Sequence, residues 1–474
     1  HSFWFEEAGK GFTTVTELDP NCAMGYWGIA MSLWYPLWEH PTEARLQQGL
    51  ATVEKAKAVG AKTDREKDYI AAIEVFYKDS DKLDHRTRAL AYEKAMEQVY
   101  LHYPEDREAA AFYALALDAT ALPSDKTYAN QKKAGAILEK IFAEEPDHPG
   151  VAHYIIHSYD YPSLASRALP AARSYAQIAP SVPHALHMPS HIFTQLGLWQ
   201  ESIQSNRASA AAAKDHDMWR DRLHAMHYLE YAYLQSGQEV EAKGIFDELN
   251  GIGEAEAANR ATAYAFVMIP ALYTLERRQW SEAASLQPRS SGVPHIEAIT
   301  YFARGIGSAR SGNTAQAQAD LEKLQSLREA AIQSKEDYWP DYMEVQRRAV
   351  AAWLALAEGK NEEALQLMRS AAELEDSTGM NAATSVPLLP AHELLGELLL
   401  ELHEPTQALQ EFEIALQLSP RRFNGLSGAA RAAQLANDTE KAHTYYTQLV
   451  SLCDHADGTR SELTEARMFL AQRQ

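Results

Sequence analysis

An all-α fold built from repeated helical hairpins is the class this sequence predicts, and two observations carry it. Similar residues return at intervals of 34 positions, and no segment has the apolar–polar alternation of a half-buried strand. A third observation, proline at the ends of apolar periods, marks where helices stop.

The clearest unit is "LLGELLLELHEPTQALQEFEIALQLSP", in which Ala408, Phe412, Ala415 and Pro420 follow Gly396 by 12, 16, 19 and 24 residues. Small residues at Gly396 and Ala408 let two antiparallel helices approach, Phe412 fills the gap and Pro420 ends the second helix. Ala430, Ala442 and Tyr446 stand 34 residues after their counterparts, so the next unit is in phase. This skeleton resembles the tetratricopeptide repeat (TPR), and it implies a right-handed superhelix of helical hairpins, a TPR-like α-solenoid.

With Gly396 as position 8 of a repeat, Ala8, Phe12, Val15 and Pro20 take positions 20, 24, 27 and 32. Residue 1 then falls at position 13. The expectation is a first repeat that continues upstream, with His1 an internal residue rather than a copper chelator acting through its amine and ring. Further units are anchored at Ala134 with Pro146, Ala168 with Pro180, and Ala242 with Phe246, then at Ala283, Ala317 and Ala364. Longer helices or inserted turns are expected between Leu33 and Lys132 and from Asn206 to Arg222. Residues 1–474 read as one repeat array, most regular over 388–452 and histidine-rich over 149–231.

Composition restricts the function. With 44 Lys+Arg against 65 Asp+Glu the formal charge is −21, and no basic run is interleaved with aromatics, so nucleic acid is not an expected partner. Cys22 and Cys453 are too few and too far apart in sequence to suggest a thiolate site or a disulfide framework. No apolar run approaches the roughly 20 residues of a membrane span. The compartment, periplasmic or cytoplasmic, cannot be read from this sequence.

Histidines carry the functional signal. "HYIIHSYD" and "HMPSHIFT" each hold two histidines four residues apart, His153 with His157 and His187 with His191. Side chains at i and i+4 share a helix face, so each pair can chelate. Pro149 and Pro183 start the two units and place both pairs at positions 5 and 9. Pro189 is expected to kink the second helix and re-aim its pair. In arrays of the kind this chain resembles, positions 2, 5, 9 and 12 line the concave groove. His184 and His224 take position 2, His227 position 5 and Asp160 position 12. Seven of 18 histidines therefore fall at groove positions between residues 153 and 227.

A lone histidine on a repeat helix is ordinarily a hydrogen-bonded packing residue, and duplication in register is what favours a metal. Imidazole-rich, carboxylate-poor ligation suits zinc, copper, nickel or iron. The expected ligands are His153, His157, His187 and His191, with His227 in reserve and Asp160, His184 and His224 as supporting or acid–base candidates. Tyr159, Tyr231, Met188 and Phe193 read as packing residues.

Beyond the repeat class, "DPNCAMGYWGIAMSL", "HYIIHSYDYP", "APSVPHALHMPSHIFTQLGLW", "LHAMHYLEYAYLQ", "EAITYFARGIGSARSG" and "LLPAHELLGELLLE" resemble a group of bacterial TPR proteins nearly end to end. The resemblance implies the fold and a bacterial source and carries no activity across. Members often read aspartate at His227, which keeps a metal ligand there. The leading expectation is a metal-dependent protein, possibly an enzyme of hydrolase or oxidoreductase type, acting on a small molecule in the groove. The alternative is a scaffold that binds a peptide or protein without catalysis. No unit carries the lysine at position 5 and asparagine at position 9 that clamp a terminal carboxylate, and HExxH, GxSxG and phosphate-cradling glycine loops are absent.

Overall fold

The computed structural model describes residues 1–37, 40–253, 262–334, 338–378, 386–458 and 460–472. Helices occupy 76% of them, and no strand occurs among the described residues. The chain is an all-α, TPR-like solenoid that divides into two compact units, His1–Asp160 with Leu164–Pro189, and Tyr161–Ser163 with Ser190–Gln474.

In the first unit the hairpins run in chain order: Ala23–Ser32 with Glu43–Val59, Asp64–Tyr77 with His85–His102, Arg107–Thr120 with Ala129–Glu144, and Pro149–Tyr159 with Ala165–Ile178. The polar "DREKD" stretch is the start of a helix, because Thr63 and Glu66 form a reciprocal capping box ahead of Asp64. Pro149 and Pro183 each occupy a first helical position, where no amide hydrogen bond is forfeited. At Pro189 the segment divides into two short helices, Pro183–His187 and Pro189–Gln195, with Met188 between them still in helical backbone (φ −53°, ψ −36°).

The second unit shows why the repeat needs small residues where it has them. Phe412 is buried between the helices Ala391–Glu401 and Phe423–Leu435, and a Cβ on Gly396 would come within 2.8 Å of its ring. Ala408, Ala430 and Ala442 are fully buried at the helix crossings.

This unit also returns on itself. The Trp199 indole donates to the Arg421 carbonyl at 2.8 Å, and the Val240 amide donates to Asp457 at 3.0 Å. Gly197, with φ +64°, faces the Pro420 carbonyl so closely that no side chain fits there. Between these contacts Arg422 is sealed from solvent among Tyr231, Glu276 and Glu393.

Candidate metal centre

Three histidines of the first unit converge. His153 Nε2 lies 2.9 Å from His157 Nε2 and 3.1 Å from His184 Nε2, and one nitrogen from each ring lies within 4.8 Å of the others. His153 and His157 sit one turn apart on Pro149–Tyr159, as their spacing predicts, and both are buried.

The third member is not the one that equal register of the two helices predicts. His187 is buried on the same five-residue helix as His184 but does not belong to the cluster. Position 2 of one repeat therefore faces positions 5 and 9 of the previous one.

The protons can be assigned. His153 Nδ1 is 2.6 Å from the main-chain carbonyl of His1, which only accepts, so Nδ1 carries the hydrogen and the Nε2 lone pair points at the other two rings. Burial, followed by the neighbouring His157 and His184, holds the His153 pKa well below the usual imidazole value and keeps the ring neutral. The other two Nε2 atoms thus share one face of the His153 ring nitrogen. A tetrahedral ion with nitrogen ligands at about 2.05 Å places them roughly 3.3 Å apart, within a few tenths of an ångström of the two separations observed.

Aromatic rings enclose the cluster. Phe3 stacks on His157 at 5.5 Å and on His184 at 5.8 Å, meeting His153 edge-on at 4.5 Å, while Tyr175 stacks on the other face of His153 at 5.1 Å. Phe3 takes φ 53°, a left-handed conformation that is costly for an aromatic residue and is held by these contacts.

A second group in this unit, His1, Glu108 and His148, has the opposite proton arrangement. His1 Nε2 and His148 Nε2 lie 3.0 and 3.2 Å from the Glu108 carboxylate, but the Val151 amide donates to His148 Nδ1. Glu108 pulls the His148 pKa up, yet an N–H aimed at Nδ1 leaves no place for a second ring proton. Nε2 therefore donates to Glu108 and has no lone pair for a metal. Burial alone would raise the Glu108 pKa, but hydrogen bonds from His1 and His148 outweigh it and keep the carboxylate ionised.

The remaining candidates lie as follows. Asp160 is buried at the C-cap of Pro149–Tyr159, its amide bonded to the His157 carbonyl. In the second unit His191 lies 6.3 Å from His224 between ring centres, and His224 lies 5.0 Å from His227. His191 Nδ1 is 3.5 Å from the Tyr228 hydroxyl. Burial and the nearby His191 push the His227 pKa down to about 3. Tyr159 is a buried packing residue, and the buried Tyr231 accepts a hydrogen bond from Arg422. Repeat logic gave no hint of Phe3, Glu108 or His148 at the site. The Phe3 contacts join residues some 150 positions apart in sequence, whereas the His-Pro pair at 148–149 is a readable helix start.

No protein-family model and no curated protein matches the sequence. Among solved structures the chain is similar to the human IFIT1 dimer with m7Gppp-AAAA, at 12% identity over 91% of this chain and 90% of that one, with a TM-score of 0.42. It is also similar to yeast Tom70, at 11% identity over 99% of this chain and 93% of that one, with a TM-score of 0.38. A likeness at this level carries no ligand or partner across.

Proposed function

We propose that the first unit binds one transition-metal ion, zinc, copper, nickel or iron, on His153, His157 and His184, and that this ion acts on a small molecule. The observation that carries the reading is the tautomer of His153, whose Nδ1–H is spent on the His1 carbonyl so that its Nε2 lone pair faces two further imidazole nitrogens. Three neutral nitrogen donors leave a coordination position for water or substrate, which suits Lewis-acid, water-activating or redox chemistry.

Elemental analysis of protein purified without tag metal and then reconstituted tests this. About one ion per chain is expected, falling to near zero in His157→Ala and His184→Ala. Full occupancy in both variants, or almost none in the parent, overturns the assignment.

A scaffold reading has one observation in its favour. Residues 1–3 lie without secondary structure against Arg107–Thr120 and Pro149–Tyr159, held by a hydrogen bond from the His153 ring to the His1 carbonyl and by ring contacts, as a peptide is held in a groove. Metal-free protein that binds extended aromatic peptides tightly, with no metal uptake under any condition, would favour it.

A further inference from the structure

Beside the histidine cluster the first unit has a cavity of about 540 Å³. Its walls are mainly aromatic: Trp27 meets Tyr69 and Phe112 edge-on, both at 5.6 Å, and Phe3, Phe12 and Trp34 also line the space. The lining holds two carboxylates, Glu7 and Glu108, and one guanidinium, Arg65. Arg65 is already neutralised, its Nε 2.5 Å from Asp106 and its plane over the Tyr69 ring at 4.8 Å.

We propose that this cavity is a binding site for a small organic cation, an ammonium group on an aromatic or alkyl body. Ring faces attract cations through their quadrupole, and the attraction grows when water is excluded. Glu108 adds a carboxylate that stays ionised, with the His148 ring bonded to one of its oxygens and the His1 ring to the other. Each Glu108 oxygen keeps a second lone pair for an ammonium hydrogen. An anion would meet Glu7 and Glu108, and a neutral apolar molecule would leave Glu108 desolvated without gain.

The site stands apart from the metal reading, since none of these walls is a metal ligand. The two places are nevertheless neighbours: Phe3 belongs both to the cavity lining and to the ring stack over the histidines. A bound cation is therefore a candidate for the molecule on which a metal there acts.

The test is calorimetric titration of the full chain, metal-free and zinc-loaded, with three probes sharing one indole body: tryptamine (cation), tryptophol (neutral) and indole-3-acetate (anion). Tryptamine should bind at least about tenfold more tightly than tryptophol, and indole-3-acetate should bind weakest. Glu108→Gln should remove most of the preference for tryptamine over tryptophol. Trp27→Leu, which leaves the carboxylate in place, should weaken tryptamine more than tryptophol and serves if the first variant does not fold. Equal or tighter binding of tryptophol or indole-3-acetate, or no binding by folded protein, overturns the proposal. Metal content measured on the same samples keeps the two readings separate: zinc uptake without amine binding defeats only this one, and amine binding without zinc uptake defeats only the other.

Discussion

Arg422 holds Glu393 through two roughly parallel hydrogen bonds, Nε to Oε1 at 2.5 Å and a terminal nitrogen to Oε2 at 3.0 Å, with both side chains sealed from solvent. The same guanidinium donates to Glu276 at 2.8 Å and to the Tyr231 hydroxyl. A buried guanidinium with all three of its nitrogens hydrogen-bonded has lost its water without losing its partners.

Removing that guanidinium is therefore expected to be far worse than removing one of its acceptors. Arg422→Ala leaves the buried Glu276 without its ion-pair partner and Glu393 with only Arg278, 3.8 Å away, and should cost about 3–5 kcal/mol. Tyr231→Phe deletes one hydrogen bond and should cost about 1 kcal/mol. Urea denaturation of the two variants checks the order, and equal losses would mean that the network relaxes around the missing charge.

A glycine pair isolates the contact that brings the second unit back on itself. Gly197→Ala meets both a positive φ and the Pro420 carbonyl, whereas Gly312→Ala meets only a φ of +82° with open space around it. The first should destabilise by clearly more than the roughly 1 kcal/mol expected of the second. Comparable thermal shifts for the two would place Pro420 away from Gly197 in solution.

Metal should stiffen the first unit locally. Zinc at a hundredfold excess over its Kd contributes about 2.7 kcal/mol to the state that binds it. Amide exchange should slow in Pro149–Tyr159 and Pro183–His187 on loading and quicken with chelator, with helices such as Glu43–Val59 unchanged. Exchange in the two histidine-bearing helices that ignores both additions counts against a bound ion.

Acid should weaken the first unit through His85. Burial, with His40 stacked at 3.7 Å and Arg88 nearby, pushes its pKa down to about 4. The unfolded ring titrates near 6.5, so above that pH both states are neutral and nothing is lost. As pH falls from about 6.5 towards 4 the unfolded chain takes up a proton that the folded chain refuses, and stability drops across that window. His85→Gln should flatten the slope of the urea midpoint between about pH 7 and 5, and an unchanged slope assigns the acid sensitivity to other groups.

The fold was legible because a TPR-like hairpin leaves its mark in small residues at fixed spacing: Gly396, Ala408, Phe412 and Ala430 meet in space as their positions demand. The pairing of His153 with His157 was legible for the same reason, being set by one helical turn. The proximity of His184 to that pair was not, because it depends on how two separate helices pack, which no sequence period encodes. Nor was the role of residues 1–3, since Phe3 and the His1 carbonyl reach the cluster by tertiary contact. The cavity was equally hidden: its aromatic residues come from five separate segments and share no spacing.

The docking of the second unit's last hairpins on its first ones changes how it must be made. In an open array each hairpin can settle as soon as its predecessor exists, so folding keeps pace with synthesis. Here Trp199 and Val240 wait for Arg421 and Asp457, partners 222 and 217 residues downstream. Until the C-terminal hairpins leave the ribosome, the faces of the early ones stay uncovered, and Gln235, which bonds the Phe423 amide, is among the groups left exposed. Such long-range closure makes folding slow, and it also removes the loose ends from which a linear array frays.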